Sequence, residues 1–354
     1  MSKSTYLFSA LKIRSLTLRN RIFMSPMCQY SAENGVPGPW HMVHLGSRAA
    51  GGAGLVMAEA TAVSPVGRIS PSDTGLWNKE QTAAFRSIAD FISSEGAVPA
   101  VQLAHAGRKA GTAEPWNGGG PIDESWNIIA PSAKAFSPDH AVPRAMSTQD
   151  LGEVQGQFEL AARNALIAGF KVVEIHMAHG YLLHEFLSPL SNERTDEFGG
   201  SFENRVRFPL AVAKKVREAW PSDLPVFVRL SATDWIPGGW DLEQSIALSC
   251  ELKKIGIDFI DVSSGGLLPD ARIPVGPGYQ VAFANAIRRD ASILTGAVGQ
   301  ITSGRQAEDI LQKGAADAIL IGREFLRDPY FPLHAASDLG CEINWPKQYL
   351  RARR

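Results

Sequence analysis

The feature that most limits what this chain can fold into is a recurrence. Short runs of β-branched and other apolar residues alternate with segments of helical spacing, eight times over. The runs are residues 21–27 (RIFMSPM), 54–63 (GLVMAEATAV), 98–104 (VPAVQLA), 171–176 (KVVEIH), 225–231 (PVFVRLS), 259–263 (FIDVS), 292–297 (SILTGA) and 318–322 (AILIG). Between them the periodicity predicts helices over 79–94, 148–168, 203–219, 242–254 and 303–313. Strands this continuously apolar suit a parallel sheet covered on both faces. Parallel neighbours need a long crossover, which the helical segments supply. Gly96, Gly169, Gly256 and Gly314 each follow a helical run, where a left-handed cap is least strained without a Cβ.

Eight β-then-α units are what a (β/α)8 TIM barrel requires, and about 250 residues suffice for one. The chain has 354. The surplus goes to an N-terminal hairpin at 11–20, a C-terminal tail, and one long insertion after strand 3, at 111–147. That insertion carries nine Gly or Pro residues together with Trp116 and Trp126, so it reads as a loop capping one barrel end. Its two tryptophans could be lid residues or ordinary loop anchors. The rival architecture, an open doubly wound sheet, would normally place a glycine-rich turn after its first strand; here that position reads SPMCQY. One domain over residues 1–354 is expected.

Composition removes several classes of function. Apolar residues make up 45% and charged residues 20%, an ordinary globular balance. Basic minus acidic residues is 35 − 36 = −1, so no global field recruits nucleic acid or an anionic membrane. No apolar stretch reaches the roughly 18 residues of a transmembrane helix, and the first sixteen residues lack a signal-peptide core. Cys28, Cys250 and Cys341 are an odd number and widely spaced, which suits neither a disulfide framework nor a CxxC metal site. A cytoplasmic protein is expected.

In a barrel the chemistry sits at the C-terminal ends of the strands. The first strand ends in Ser25, Pro26, Met27 and Cys28, and the third in Gln102, whose amide offers a donor and an acceptor to a planar heterocycle. The densest cluster closes the fourth strand, where His176, His179 and Tyr181 fall within six positions. Packing explains such a group poorly, because each member carries polar atoms that burial would leave needing partners. Arg229 on the fifth strand needs a compensating anion or ring oxygen; an internal ion pair with Glu174, which shares strand parity with His176, is one expectation. The seventh and eighth strands end in TGAVG and IGR. Small residues there let backbone N–H groups approach a phosphate, and Arg323 offers a fork for its oxygens.

Together these pieces describe a phosphorylated aromatic cofactor lying over the barrel mouth. The sequence resembles the Old Yellow Enzyme family of FMN-dependent ene-reductases, in the bacterial branch of xenobiotic reductase-like and NADPH dehydrogenase-like proteins. The resemblance rests on NRIFMSPMCQYS, QLAHAGRKA, EIHMAHGYLLHEFLSPLSNERTDEFGGSFENR, FVRLSATD, TGAVG and IGREFLRDP, which occur in the family's order over nearly the whole chain. It implies that Ser25, Pro26, Met27, Cys28, Ala60, Gln102 and Arg229 hold the isoalloxazine ring, Cys28 tuning its potential. Gly299, Gly322 and Arg323 would surround the non-covalently bound FMN phosphate. His176 and His179 would hold the substrate carbonyl, Tyr30 would touch the substrate, and Tyr181 would donate the proton. The implied reaction is ping-pong: NADPH or NADH delivers hydride to flavin N5, and an α,β-unsaturated carbonyl or related electron-poor compound then takes it up.

The resemblance extends to the C-terminus, where Arg351 fits best an arginine contributed to a neighbouring subunit's site in a homodimer or homotetramer. Other readings are weaker. A metal-dependent hydrolase would enlist His176, His179 and His184, but Arg229 would repel a divalent ion. A glycosidase needs two facing carboxylates, and TGAVG carries none. A phosphate-ligand binding protein without catalysis would leave the His–His–Tyr cluster unused.

Overall fold

The computed structural model describes residues 5–122 and 126–353. Eight strands run in chain order around a closed barrel: β1 (Ile22–Met24), β2 (Leu55–Ala62), β3 (Val98–Ala104), β4 (Val172–Met177), β5 (Val226–Ser231), β6 (Phe259–Ser263), β7 (Leu294–Ala297) and β8 (Ala318–Ile321). All eight neighbour pairs are parallel, and β8 closes on β1. The main helices between and after them are α1 (Pro39–Ala50), α2 (Lys79–Ser94), α3 (Thr148–Ile167), α4 (Phe202–Ala219), α5 (Leu242–Lys254), α6 (Val281–Ala291), α7 (Gly304–Gln312) and α8 (Phe331–Leu339). This is the expected TIM barrel, with the antiparallel N-terminal hairpin of Leu11–Ile13 and Leu16–Leu18.

Local chemistry sets the boundaries. Asn78, Ser147, Asp241 and Ser303 cap their helices through side-chain oxygens that accept N–H bonds in the first turn. Gly96, Gly169, Gly256 and Gly314 all have positive φ, between 66° and 96°. Several strands are shorter than expected, and in two of them the cause is local. β1 stops at Met24 because Pro26 has no N–H with which to extend the ladder. β7 begins only at Leu294, since Ser292 takes a left-handed conformation at the end of α6.

The barrel interior is layered. Phe23, Leu55, Met57, Ala100, Val172, Phe227, Phe259 and Leu320 form an apolar plug, and Leu11, Ile13 and Leu18 of the hairpin belong to the same cluster. Phe227 stacks on Phe259 with ring centroids 4.5 Å apart. A second, larger core lies between the strands and the surrounding helices. Two residues further along β3 to β6, on the same inward face, the plug gives way to Gln102, Glu174, Arg229 and Asp261. The 111–147 insertion is tied to the mouth above them. Thr112 N–H donates to Ile69 O at 2.7 Å, and the Arg194 guanidinium donates to the carbonyls of Pro131 and Met146. No helix among the described residues is long and apolar enough to cross a membrane.

Candidate active site

The polar layer is built by register. β3 and β4 place Gln102 beside Glu174, and Gln102 Nε2 donates to Glu174 Oε1 at 2.8 Å. β5 and β6 place Arg229 beside Asp261, where Nε lies 3.0 Å from Oδ2. The ion pair expected between Glu174 and Arg229 does not form. Strand parity puts both inside the barrel, but register sets Arg229 level with His176 and Glu174 level with Phe227. Burial pushes the Glu174 carboxyl upward, the Asp261 charge adds to this, and Arg229 opposes it.

Above this layer, β4 turns sharply into a short helix, Leu182–Leu187. His179 (φ 59°) and Gly180 (φ 72°) both take left-handed conformations, and a Cβ at Gly180 would come within 2.3 Å of Gly266 O. Strain of this kind persists only when the surroundings over-determine it. Here His184 Nδ1 accepts the Gly180 N–H at 2.9 Å, while its Nε2 contacts the buried Asp234 carboxylate at 3.0 Å. The turn brings three rings together: His176 packs edge-on against His179 (5.2 Å) and Tyr181 (5.0 Å). Both ring nitrogens of His184 are thus engaged in holding the turn, and the metal-triad reading loses its third ligand.

The rings carry defined protonation states. Burial and the nearby Arg229 charge hold His176 and His179 well below the usual imidazole range, so both are neutral at pH 7. His176 Nδ1 accepts the Ala178 N–H at 3.2 Å, which leaves Nε2 as its donor. His179 Nε2 lies 2.7 Å from Ser263 Oγ. Burial raises the Tyr181 phenol well above its ordinary value, reinforced by Cys28 and Tyr30. Its proton therefore stays on through neutral pH.

Below and beside the rings lies a cavity of about 430 Å³ whose lining includes Arg229, Ser263, Gln280, Gly299, Gly322 and Arg323. The structure thus brings Arg229 and the three expected phosphate residues onto one surface. A Cβ at Gly299 would meet the Tyr279 ring at 2.9 Å. Gly322 lies beside Met27 and Ser25, and the buried Ser25 Oγ has no protein partner. Ala60 and Tyr181 line a small adjoining cleft with Ile69 and Asp73. Cys28 and Tyr30 are half-buried, and burial first, then Asp73 and Glu59, push the Cys28 thiol well up. Arg351 is exposed in the C-terminal turn Lys347–Ala352 and is not among the residues lining the cavity.

Several residues at the site carry no role in the sequence reading. Lys109 Nζ donates to His179 O (2.9 Å) and Gly266 O (3.1 Å) and sits 4.9 Å from the Tyr181 ring centroid. Burial lowers its pKa to about 8. Glu59 Oε2 accepts the Gln29 N–H at 2.8 Å and Oε1 contacts His41 at 3.1 Å, which holds the loop carrying Cys28 and Tyr30. Gln280 accepts from Ser264 and donates to Val298 O, linking the ends of β6 and β7. The inward parity of Asp261 and Ser263 with Phe259 is a readable signal in the sequence; Lys109, within QLAHAGRKA, carries none.

A family model described as the NADH:flavin oxidoreductase / NADH oxidase family matches residues 6–342. The NADPH dehydrogenase of Listeria innocua serovar 6a is 50% identical over 348 residues, 98% of this chain and 98% of that protein. The NADPH dehydrogenase of Geobacillus sp. (strain WCH70) is 48% identical over 352 residues, 99% of each. Among solved structures, morphinone reductase superposes with a TM-score of 0.80 at 29% identity, covering 98% of this chain and 92% of its own. A 2-naphthoyl-CoA reductase complex superposes at 0.86 and 26% identity, covering 94% of this chain and 52% of the other.

Proposed function

The chain belongs to the NADH:flavin oxidoreductase / NADH oxidase family, and we propose that it is an ene-reductase acting on α,β-unsaturated carbonyl and related electron-poor compounds in a ping-pong cycle. It is a flavin oxidoreductase of the Old Yellow Enzyme type, working with FMN and a reduced nicotinamide, NADPH or NADH. The residues present fit FMN. A buried Ser25 hydroxyl without a protein partner, an Arg229 guanidinium whose described ionic contact is through Nε to Asp261, and a glycine-lined cavity leading to Arg323 match a planar polar ring with a phosphate tail.

Ser25, Pro26, Met27, Cys28, Ala60, Gln102 and Arg229 would hold the ring, and Gly299, Gly322 and Arg323 the phosphate. When bound, FMN would supply the hydride-transfer chemistry between the nicotinamide and the substrate's double bond. Neutral His176 and His179 hold the substrate's carbonyl oxygen and favour the negative charge that gathers there as the double bond is reduced. Tyr181, kept protonated by burial, delivers its proton to the α-carbon. Arg229 supplies positive charge next to the ring, and Tyr30 contacts the substrate. The observation that carries this reading is the convergence of two neutral imidazoles and a protonated phenol above Arg229.

Tyr181→Phe tests it. NADPH should bleach the flavin absorbance at the wild-type rate, while reoxidation by 2-cyclohexen-1-one slows by about 10²- to 10⁴-fold. Reoxidation at the wild-type rate would remove Tyr181 from the proton-donor role, and wild-type protein that NADPH reduces but no enone reoxidises would remove the enone reading. We further propose a cytoplasmic homodimer or homotetramer in which Arg351 reaches a neighbouring subunit's site, on the support of its exposure and distance in sequence from the barrel. Deleting residues 351–354 should then weaken substrate binding and leave FMN bound; unaltered kinetics would overturn it.

A further inference from the structure

The two tryptophans of the insertion have different surroundings. Trp126 is an anchor: its Nε1 donates to Val66 O at 3.0 Å, and the Arg68 guanidinium lies 5.0 Å from its ring centroid. Trp116 has no such seat. It is 66% exposed, although the turn that carries it, Pro115–Asn117, is firmly held. Glu114 accepts from Ser72 Oγ at 2.5 Å and from Asn117 Nδ2 at 2.9 Å. Ser72 belongs to the same 69–73 segment whose Ile69 and Asp73 line the cleft beside Tyr181.

The single aromatic neighbour of Trp116 among the described residues is Tyr30, against which it stands edge-on at 5.8 Å and 81°. Tyr30 is itself held in a left-handed conformation, φ 48°, by the loop that Glu59 and Gln29 fix. The two rings therefore meet nearly at right angles on two loops tied through Ser72, whose carbonyl accepts the Ala32 N–H at 2.9 Å, with much of the indole open to solvent. An indole displayed on a fixed turn beside a substrate contact is suited to cover a flat apolar group.

We propose that Trp116 and Tyr30 form a distal aromatic subsite that receives a planar hydrophobic substituent, such as a phenyl or fused bicyclic ring, carried by the substrate beyond its reacting double bond. The insertion thereby selects aryl-substituted substrates over small cyclic ones. This rests on the ene-reductase reading for its substrates, but its test does not require turnover. Wild-type FMN-loaded protein and its Trp116→Ala and Trp116→Phe variants are titrated calorimetrically with phenol, 3-phenylphenol and 4-phenylphenol.

In wild type, one or both phenylphenols should bind at least about ten-fold more tightly than phenol. Trp116→Ala should lose that preference with phenol affinity unchanged within about two-fold, and Trp116→Phe should keep most of it. Equal preference in wild type and Trp116→Ala would overturn the subsite. So would a changed oligomeric state of Trp116→Ala by light scattering with the preference intact, which would assign the ring to a subunit contact. Failure of wild type to reduce 2-cyclohexen-1-one while the phenylphenol preference persists would sink the ene-reductase reading and leave the subsite standing.

Discussion

The lower and upper halves of the barrel interior are made by the same strands and the same inward face, yet they follow opposite rules. Below, Phe23, Phe227 and Phe259 pack with Leu55, Met57 and Leu320 as a dry plug. Two residues further on, Phe227 gives way to Arg229 and Phe259 to Asp261, and Val172 to Glu174. Both layers are buried. The lower one gains from burial, since apolar surface leaves water. The upper one loses by it, because charges are desolvated and their mutual attraction seldom more than offsets that cost. A chain selected only for stability would continue the plug upward. The polar layer is where the fold is given over to a ligand.

Substitutions in the two layers should separate along that line. The largest effect on stability belongs to Phe259→Ala, which removes a ring stacked on Phe227 and tilted against Phe23. It should destabilise the protein by about 3–5 kcal/mol in denaturant unfolding, while the folded fraction keeps its flavin reduction rate. A loss under 1 kcal/mol would show that the plug is not close-packed. Tyr181→Phe, at the opposite end, should leave unfolding nearly unchanged while its chemistry falls.

Glu174→Gln should have the smallest effect, and it depends on pH. Burial raises the folded-state pKa of Glu174 above its unfolded value. The stability linked to it is therefore complete below about pH 4 and is lost as pH rises through the raised value. From pH 5 to pH 8.5 the wild type should lose stability that Glu174→Gln keeps. Parallel stability–pH curves would mean that Glu174 is not the group burdened by its burial.

The lower half was the more legible in sequence. Eight apolar runs with helical segments between them suffice for a barrel, and the extents of β3, β6, α2 and α5 coincide with those read from periodicity. The site was legible as a set of residues and not as a set of bonds. Period-2 alternation tells which face a side chain occupies, but not its height relative to the next strand. That is why Arg229 could be assigned to the interior and still be given the wrong carboxylate. The His184–Asp234 contact and the Lys109 bonds to the 179 and 266 carbonyls join residues 50 or more positions apart, which no local pattern records. The short extent of β1 followed from Pro26, a signal that was present in the sequence and outweighed by the apolar run around it.

The contrast between layers is tested most directly by replacing the buried pair with apolar residues, Arg229→Met together with Asp261→Leu, and measuring two quantities on one preparation. Unfolding of the FMN-free protein should show stability unchanged or raised, as expected when a buried ion pair becomes well-packed hydrocarbon. FMN titration of the same protein should show affinity weakened at least about ten-fold. A double variant that loses stability without FMN and still binds FMN as tightly as the wild type would contradict the assignment, and would make the Arg229–Asp261 pair part of the scaffold.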